Sequence, residues 1–113
     1  MLHLALVAAA AAALFLAQPG KAIAQQPLEI SMTIKDGKFD PAEIEVPANT
    51  PVRIKIKNLE PKPVEFESNV LRFEKIVTAG SEATVNVRAQ KPGRYEFFDE
   101  FREEAVRGAL IVK

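Results

Sequence analysis

The 113-residue chain has no cysteine and no tryptophan, and its only histidine is His3. Without cysteine there can be neither disulfide staples nor thiolate chemistry. Without a histidine beyond residue 3, no serine or cysteine nucleophile can be paired with an imidazole base. The common cysteine- and histidine-based metal sites likewise lack their donors. Charge is not in surplus either, because 15 Lys and Arg balance 15 Asp and Glu. A nucleic-acid partner, which calls for a basic excess, is therefore not expected. The five glycines form no phosphate-cradling run.

What is present begins with an export-like leader. An apolar run from Leu4 to Ala17 is followed by Pro19-Gly20 and an A-x-A end at Ala22-Ile23-Ala24, which predicts a signal peptide over residues 1–24 with cleavage after Ala24. The run is shorter than the ~20 residues that span a bilayer, so the mature chain is expected not to cross the membrane and to be periplasmic. Residues 25–113 then form one domain carrying 14 basic and 15 acidic side chains, a net charge of −1. A chain of this length buries roughly 60–65% of its unfolded surface, enough for a single modest core.

Beyond the leader the hydrophobic period is two. Leu28, Ile30, Met32 and Ile34 alternate with Glu29, Ser31, Thr33 and Lys35, and Asp36-Gly37 supplies a turn. Ile44 and Val46 alternate with Glu43 and Glu45, and Val52, Ile54 and Ile56 with Arg53, Lys55 and Lys57. Further strands are predicted at 64–68, 83–88, 93–98 and 109–112, while residues 69–76 read as a loop or one helical turn. Six to eight short strands at this spacing predict an all-β, Greek-key sandwich or barrel.

The stretch KDGKFDPAEIEVPANTPVRIKIKN resembles the N-terminal half of the cupredoxin fold, with Phe39, Pro41, Ile44, Val46, Pro47, Ala48, Asn49 and Thr50 on its F-x-P-x-x-I-x-V-P-A-G-T pattern. KPGRYEFFDEFREEAVRGALIVK is similar to the C-terminal half. The resemblance implies a type 1 copper centre, but Val64 stands at the first histidine position, Asp99 at the cysteine, Arg102 at the second histidine and about Ala105 at the methionine. Type 1 copper, which needs a thiolate and two imidazoles, is not expected. VEFES and YEFFDEFREEAVRGALIVK further resemble the Cys-less cupredoxin-like proteins found beside Ftr-type or Efe-type iron permeases, where related sequences read F-F-D-x-F-H-x-E. That resemblance implies a role in handling iron or copper, with an inner-membrane iron permease or a P19-like periplasmic metal protein as partner.

The remaining metal candidates are carboxylates. Glu65 and Glu67 share one strand face by the period of two, and Asp99, Glu100, Glu103 and Glu104 crowd the segment after Phe98. Oxygen donors suit hard cations, ferric iron and Mn²⁺ among them, better than Cu(I). The metal set read from the sequence is Glu65, Glu67, Asp99 and Glu103, against the alternative that Glu65, Glu67 and Glu100 form a solvated face. Met32, the one methionine after the leader, is read as core. Asp99 shares the inward parity of Tyr95 and Phe97, so either it pairs with Arg102 to close the end of the sandwich, or it takes a metal with Glu67 or Glu103. Phe98, Phe101 and Arg102 are the candidate partner contacts of a metal-free docking module. No catalytic apparatus can be assembled, and the domain is too small to build a sugar cleft around a Glu65–Glu103 pair, so the chain is not read as an enzyme.

Overall fold

The computed structural model describes residues 26–113. The leader and its cleavage after Ala24 lie outside the described residues. The described chain runs β1 (Leu28–Lys35), β2 (Lys38–Asp40), β3 (Glu43–Val46), β4 (Val52–Asn58), β5 (Val64–Ser68), β6 (Phe73–Val77), β7 (Glu82–Val87), β8 (Gly93–Asp99), a 3₁₀ turn (Glu100–Arg102) and β9 (Arg107–Val112). The strands form two mixed sheets, β2-β1-β4-β7 and β3-β9-β8-β5-β6. The β1/β4 and β3/β9 pairs are parallel, and the others are antiparallel. The expected all-β sandwich is the observed one.

The alternating pattern sets the core. In β4, Val52, Ile54, Ile56 and Asn58 point inward, and in β5 Val64, Phe66 and Ser68 do so, which leaves Glu65 and Glu67 on the outer face. Met32 is 2% exposed and belongs to this core. β1 keeps its pattern only at its C-terminal end: Met32 and Ile34 are buried, whereas Leu28 is exposed. The three-residue β2 covers only Thr33 to Lys35, so the start of β1 is a sheet edge. Between the sheets Phe66 makes ring contacts with Phe39, Phe73 and Phe97 at centroid distances of 5.7, 4.7 and 5.3 Å.

The turns follow backbone chemistry. Asp36 and Gly37 both hold positive φ, 51° and 73°, as a tight hairpin between right-twisted strands requires. Asn49, where the family pattern has glycine, also adopts positive φ at 57°, which asparagine tolerates better than most residues. Of residues 69–76, expected as a loop or one helical turn, only 69–72 are a turn, and 73–76 belong to β6. Asn69 to Arg72 form the turn of a β5–β6 hairpin, closed by the Leu71 amide donating to Ser68 Oγ at 3.1 Å with Arg72 at φ 60°. The turn contains neither glycine nor proline, the usual sequence signals.

Gly108 is required by close approach. A Cβ there would lie 2.5 Å from the carbonyl oxygen of Ala42 and 2.5 Å from the Phe97 ring. The Ala42 carbonyl also accepts from the Ala109 amide at 2.9 Å, so it cannot retreat without losing that bond. Gly108→Ala is expected to cost about 1–3 kcal/mol through overpacking. A denaturant titration reads this directly, and an unchanged midpoint would contradict the tight approach.

Candidate carboxylate site and the closed pole

At the end of β8 the chain buries a carboxylate. Asp99 has no exposed surface, a placement that is costly for a charge unless it is paired and hydrogen-bonded. Its Oδ1 accepts from the Glu65 amide at 3.0 Å and from the Phe101 amide at 3.1 Å, and its Oδ2 accepts from Arg102 Nε at 2.8 Å. The guanidinium then reaches Glu60, donating from Nη2 to Oε1 at 2.6 Å. The Gly37 amide donates to Glu60 Oε2. Glu60 is held in place by Asn58, which is fully buried and accepts from the Glu60 amide at 2.8 Å while donating to the Lys62 and Val77 carbonyls at 2.8 and 3.0 Å. Burial alone would raise the Glu60 pKa, but Arg102 and the Gly37 amide outweigh it and hold the group below the usual carboxylate value.

A second acidic group lies outside this network, on the outer face of the five-stranded sheet. Glu67 faces Glu74 directly across the β5–β6 pair, and Glu65 is two residues along the same face. Glu100 opens the 3₁₀ turn that follows Asp99, and Asp99 is itself registered opposite Phe66. One carboxylate oxygen from each of Glu65, Glu67, Glu74 and Glu100 lies within 4.8 Å of the others. Oxygens bound to one hard cation are at most about twice the metal–oxygen distance apart, roughly 4–5 Å. Among the described residues no lysine or arginine pairs with any of the four, and Glu67 Oε1 is buried with no hydrogen-bond partner. Burial and the neighbouring Glu74 and Glu100 push the Glu65 carboxyl up to about 7. Contact with Glu100, followed by burial, pushes Glu67 to about 7 as well. The cluster thus calls for a proton or a cation.

The structure brings together only part of the expected set. Glu65 and Glu67 join, while Asp99 is committed to two amides and a guanidinium, and exposed Glu103 stands outside the cluster with its carbonyl accepting from Arg107 at 2.9 Å. Glu74 lies outside the expected set because it falls in the segment 69–76 expected as a loop or one helical turn, whereas the structure places it in β6. The run Phe73-Glu74-Lys75-Ile76-Val77 does not alternate in polarity, so periodicity offers no strand signal there. Glu100, read as solvated face, is the fourth member. Of the expected partner contacts, Phe101 is 56% exposed, but Phe98 is buried at 4% despite its outward parity, because the Arg107 guanidinium covers its ring at 5.1 Å. Arg102 is only partly exposed and is engaged by Glu60 and Asp99.

The two mixed sheets packed face to face define a small β-sandwich protein. Residues 6–112 match the Cupredoxin-like domain family, and the chain belongs to it. It is 41% identical over 85 residues to an uncharacterized protein of Rickettsia prowazekii, covering 75% of this chain and 68% of that one. Among solved structures it is similar to the metal-binding domain of the Cu(I)-exporting P-type ATPase of Streptococcus pneumoniae D39, with a TM-score of 0.68, 18% identity and coverage of 75% and 84% of the two chains. It is also similar to auracyanin from Roseiflexus castenholzii, with a TM-score of 0.63, 14% identity and coverage of 80% and 99%. At these identities the structural likeness is one of fold.

Two measurements follow from the opposed electrostatics. Asp99→Ala leaves Arg102 short of a partner at the buried pole and is expected to cost about 1–3 kcal/mol, whereas Glu100→Gln relieves repulsion and stays within about 0.5 kcal/mol or stabilises. Equal losses in denaturant titrations would contradict the division between pole and face. For pH, the raised groups Glu65 and Glu67 contribute stability that is complete below their ordinary 4.5 and is lost as pH rises through about 7. The depressed Glu60 contributes stability present above 4.5 and lost as pH falls through its lower folded value. The neutral-side decline in denaturation midpoint is expected to flatten in a Glu65→Gln, Glu67→Gln double variant; an unchanged profile would contradict the assignment.

Proposed function

We propose that this protein is a periplasmic accessory of bacterial iron uptake that holds iron or copper weakly through the carboxylates of Glu65, Glu67, Glu74 and Glu100, and that it serves as a binding protein and not as an enzyme. The observation that carries the reading is the buried, donorless Glu67 Oε1 among three neighbouring carboxylates. A group that needs a proton or cation, and that retains protons near neutrality, is suited to taking up a metal with proton release. An all-oxygen donor set favours hard ions, so binding of Cu(I) is expected to be poor. The transport setting rests on the likeness of VEFES and YEFFDEFREEAVRGALIVK to the iron-permease-associated proteins, with the permease or a P19-like protein as partner.

The pole is not read as a copper centre. The positions matching the copper ligands of the fold meet there, but they offer a buried valine at Val64, a committed carboxylate at Asp99 and a cation at Arg102. No thiolate or imidazole is among them, and the guanidinium would repel a metal.

The test is calorimetric titration of residues 25–113 with Mn²⁺ and Cu²⁺. Dissociation constants on the order of 10⁻⁴ M are expected at pH 7.5, with at least about tenfold weaker binding at pH 5.5, where protons hold the cluster, and in Glu67→Gln. Tight binding indifferent to Glu67→Gln would refute this placement of the site.

A further inference from the structure

Exposed apolar side chains lie next to the carboxylate cluster. Ile76 is 57% exposed and stands directly opposite Glu65 across the β5–β6 pair. Phe101 is 56% exposed, and its amide shares Asp99 Oδ1 with the amide of Glu65. Glu65 therefore faces one exposed apolar side chain across the strand pair, and a second follows Glu100 in the 3₁₀ turn, while Glu67 and Glu74 complete the acidic group. Neither feature serves the fold: cross-strand like charges are destabilising, and exposed Ile and Phe side chains forgo burial that would stabilise the molecule. Together they set exposed apolar side chains next to an acidic group.

We propose that this face docks a protein partner through a segment that sets a lysine or arginine into the four carboxylates and apolar side chains against Ile76 and Phe101. The inference rests on the reading of the cluster as a cation site and adds its partner chemistry. Charge complementarity selects the occupant. An anionic membrane surface or a nucleic acid would meet four unpaired carboxylates and be repelled. A second copy of this chain laid alongside β6, the outer strand of its sheet, would set two acidic clusters on one continuous face. A basic segment meets neither obstacle. Because the same oxygens take the metal and the partner's cationic group, docking and metal retention compete, and a docking partner displaces the metal at the point of contact.

The test uses residues 25–113 at low salt, where such contacts are least screened, and the capped peptide Ala-Leu-Arg-Leu-Arg-Leu-Ala, with a Glu-for-Arg peptide as control. Amide shifts in ¹⁵N spectra are expected at Glu65, Glu67, Glu74, Ile76, Glu100 and Phe101 with the Arg peptide alone. Glu74→Gln and Ile76→Ser should each weaken the peptide by at least roughly threefold, and saturating Mn²⁺ by roughly tenfold. Shifts centred instead on Lys62 and Arg102, equal response to the Glu peptide, or no response would overturn the proposal. Mn²⁺ titration of the same sample separates the two readings: Mn²⁺ binding without peptide binding leaves the cation site standing and overturns docking. Peptide binding without Mn²⁺ binding does the reverse.

Discussion

The rest of the structure depends on how the carboxylate of Asp99 is neutralised at the closed end of the sandwich. A charge with no exposed surface must be matched by donors of fixed geometry, and the chain supplies them from two directions. The amides of Glu65 and Phe101 come from the neighbouring strand and the following turn, and the guanidinium of Arg102 comes from three residues on. These bonds shape the 3₁₀ turn, whose first residue Glu100 is thereby held over the outer face. The pole network and the carboxylate strip are consequently one construction: the bonds that satisfy Asp99 help to bring Glu100 to the unsatisfied Glu65, Glu67 and Glu74.

Two acidic groups in one small domain thus meet opposite fates. Glu60 is buried more deeply than either half-buried strand glutamate, yet it remains ionised because Arg102 and the Gly37 amide surround it. Glu65 and Glu67 are more accessible, yet they hold protons toward neutrality because partial burial and the neighbouring carboxylates act in the same direction. Partners, more than depth, set the sign of each shift. A fold that completes its polar bonds at the pole while leaving Glu67 Oε1 without one places its frustration where a ligand could relieve it.

Among cupredoxin-like folds, the position at which other members hold a metal is a natural place to look for function. In this chain ion pairs of Arg102 with Asp99 and Glu60 close the pole, and the carboxylate cluster lies on the sheet face beside it. A fork of arginine nitrogens there satisfies the carboxylates of Asp99 and Glu60 at once.

What the sequence determined by itself was the facing of side chains along alternating strands and the turns with their own chemical signal. Alternation places Ile54, Ile56, Val64 and Phe66 inward and Glu65 and Glu67 outward, Asp36-Gly37 makes its turn, and parity turns Asp99 into the interior within reach of Arg102. Tertiary structure decided what depends on which strands pair and in what register. Glu60, 42 residues from Arg102 in sequence, supplies the second half of the pole, and nothing local marks it as a partner. Glu74 reaches Glu67 only because a turn without glycine or proline folds β6 back on β5. Phe98 follows its outward parity yet is buried, because the cross-strand Arg107 lies over its ring. Periodicity says which face a side chain takes; what lies over that face is settled when the strands are paired.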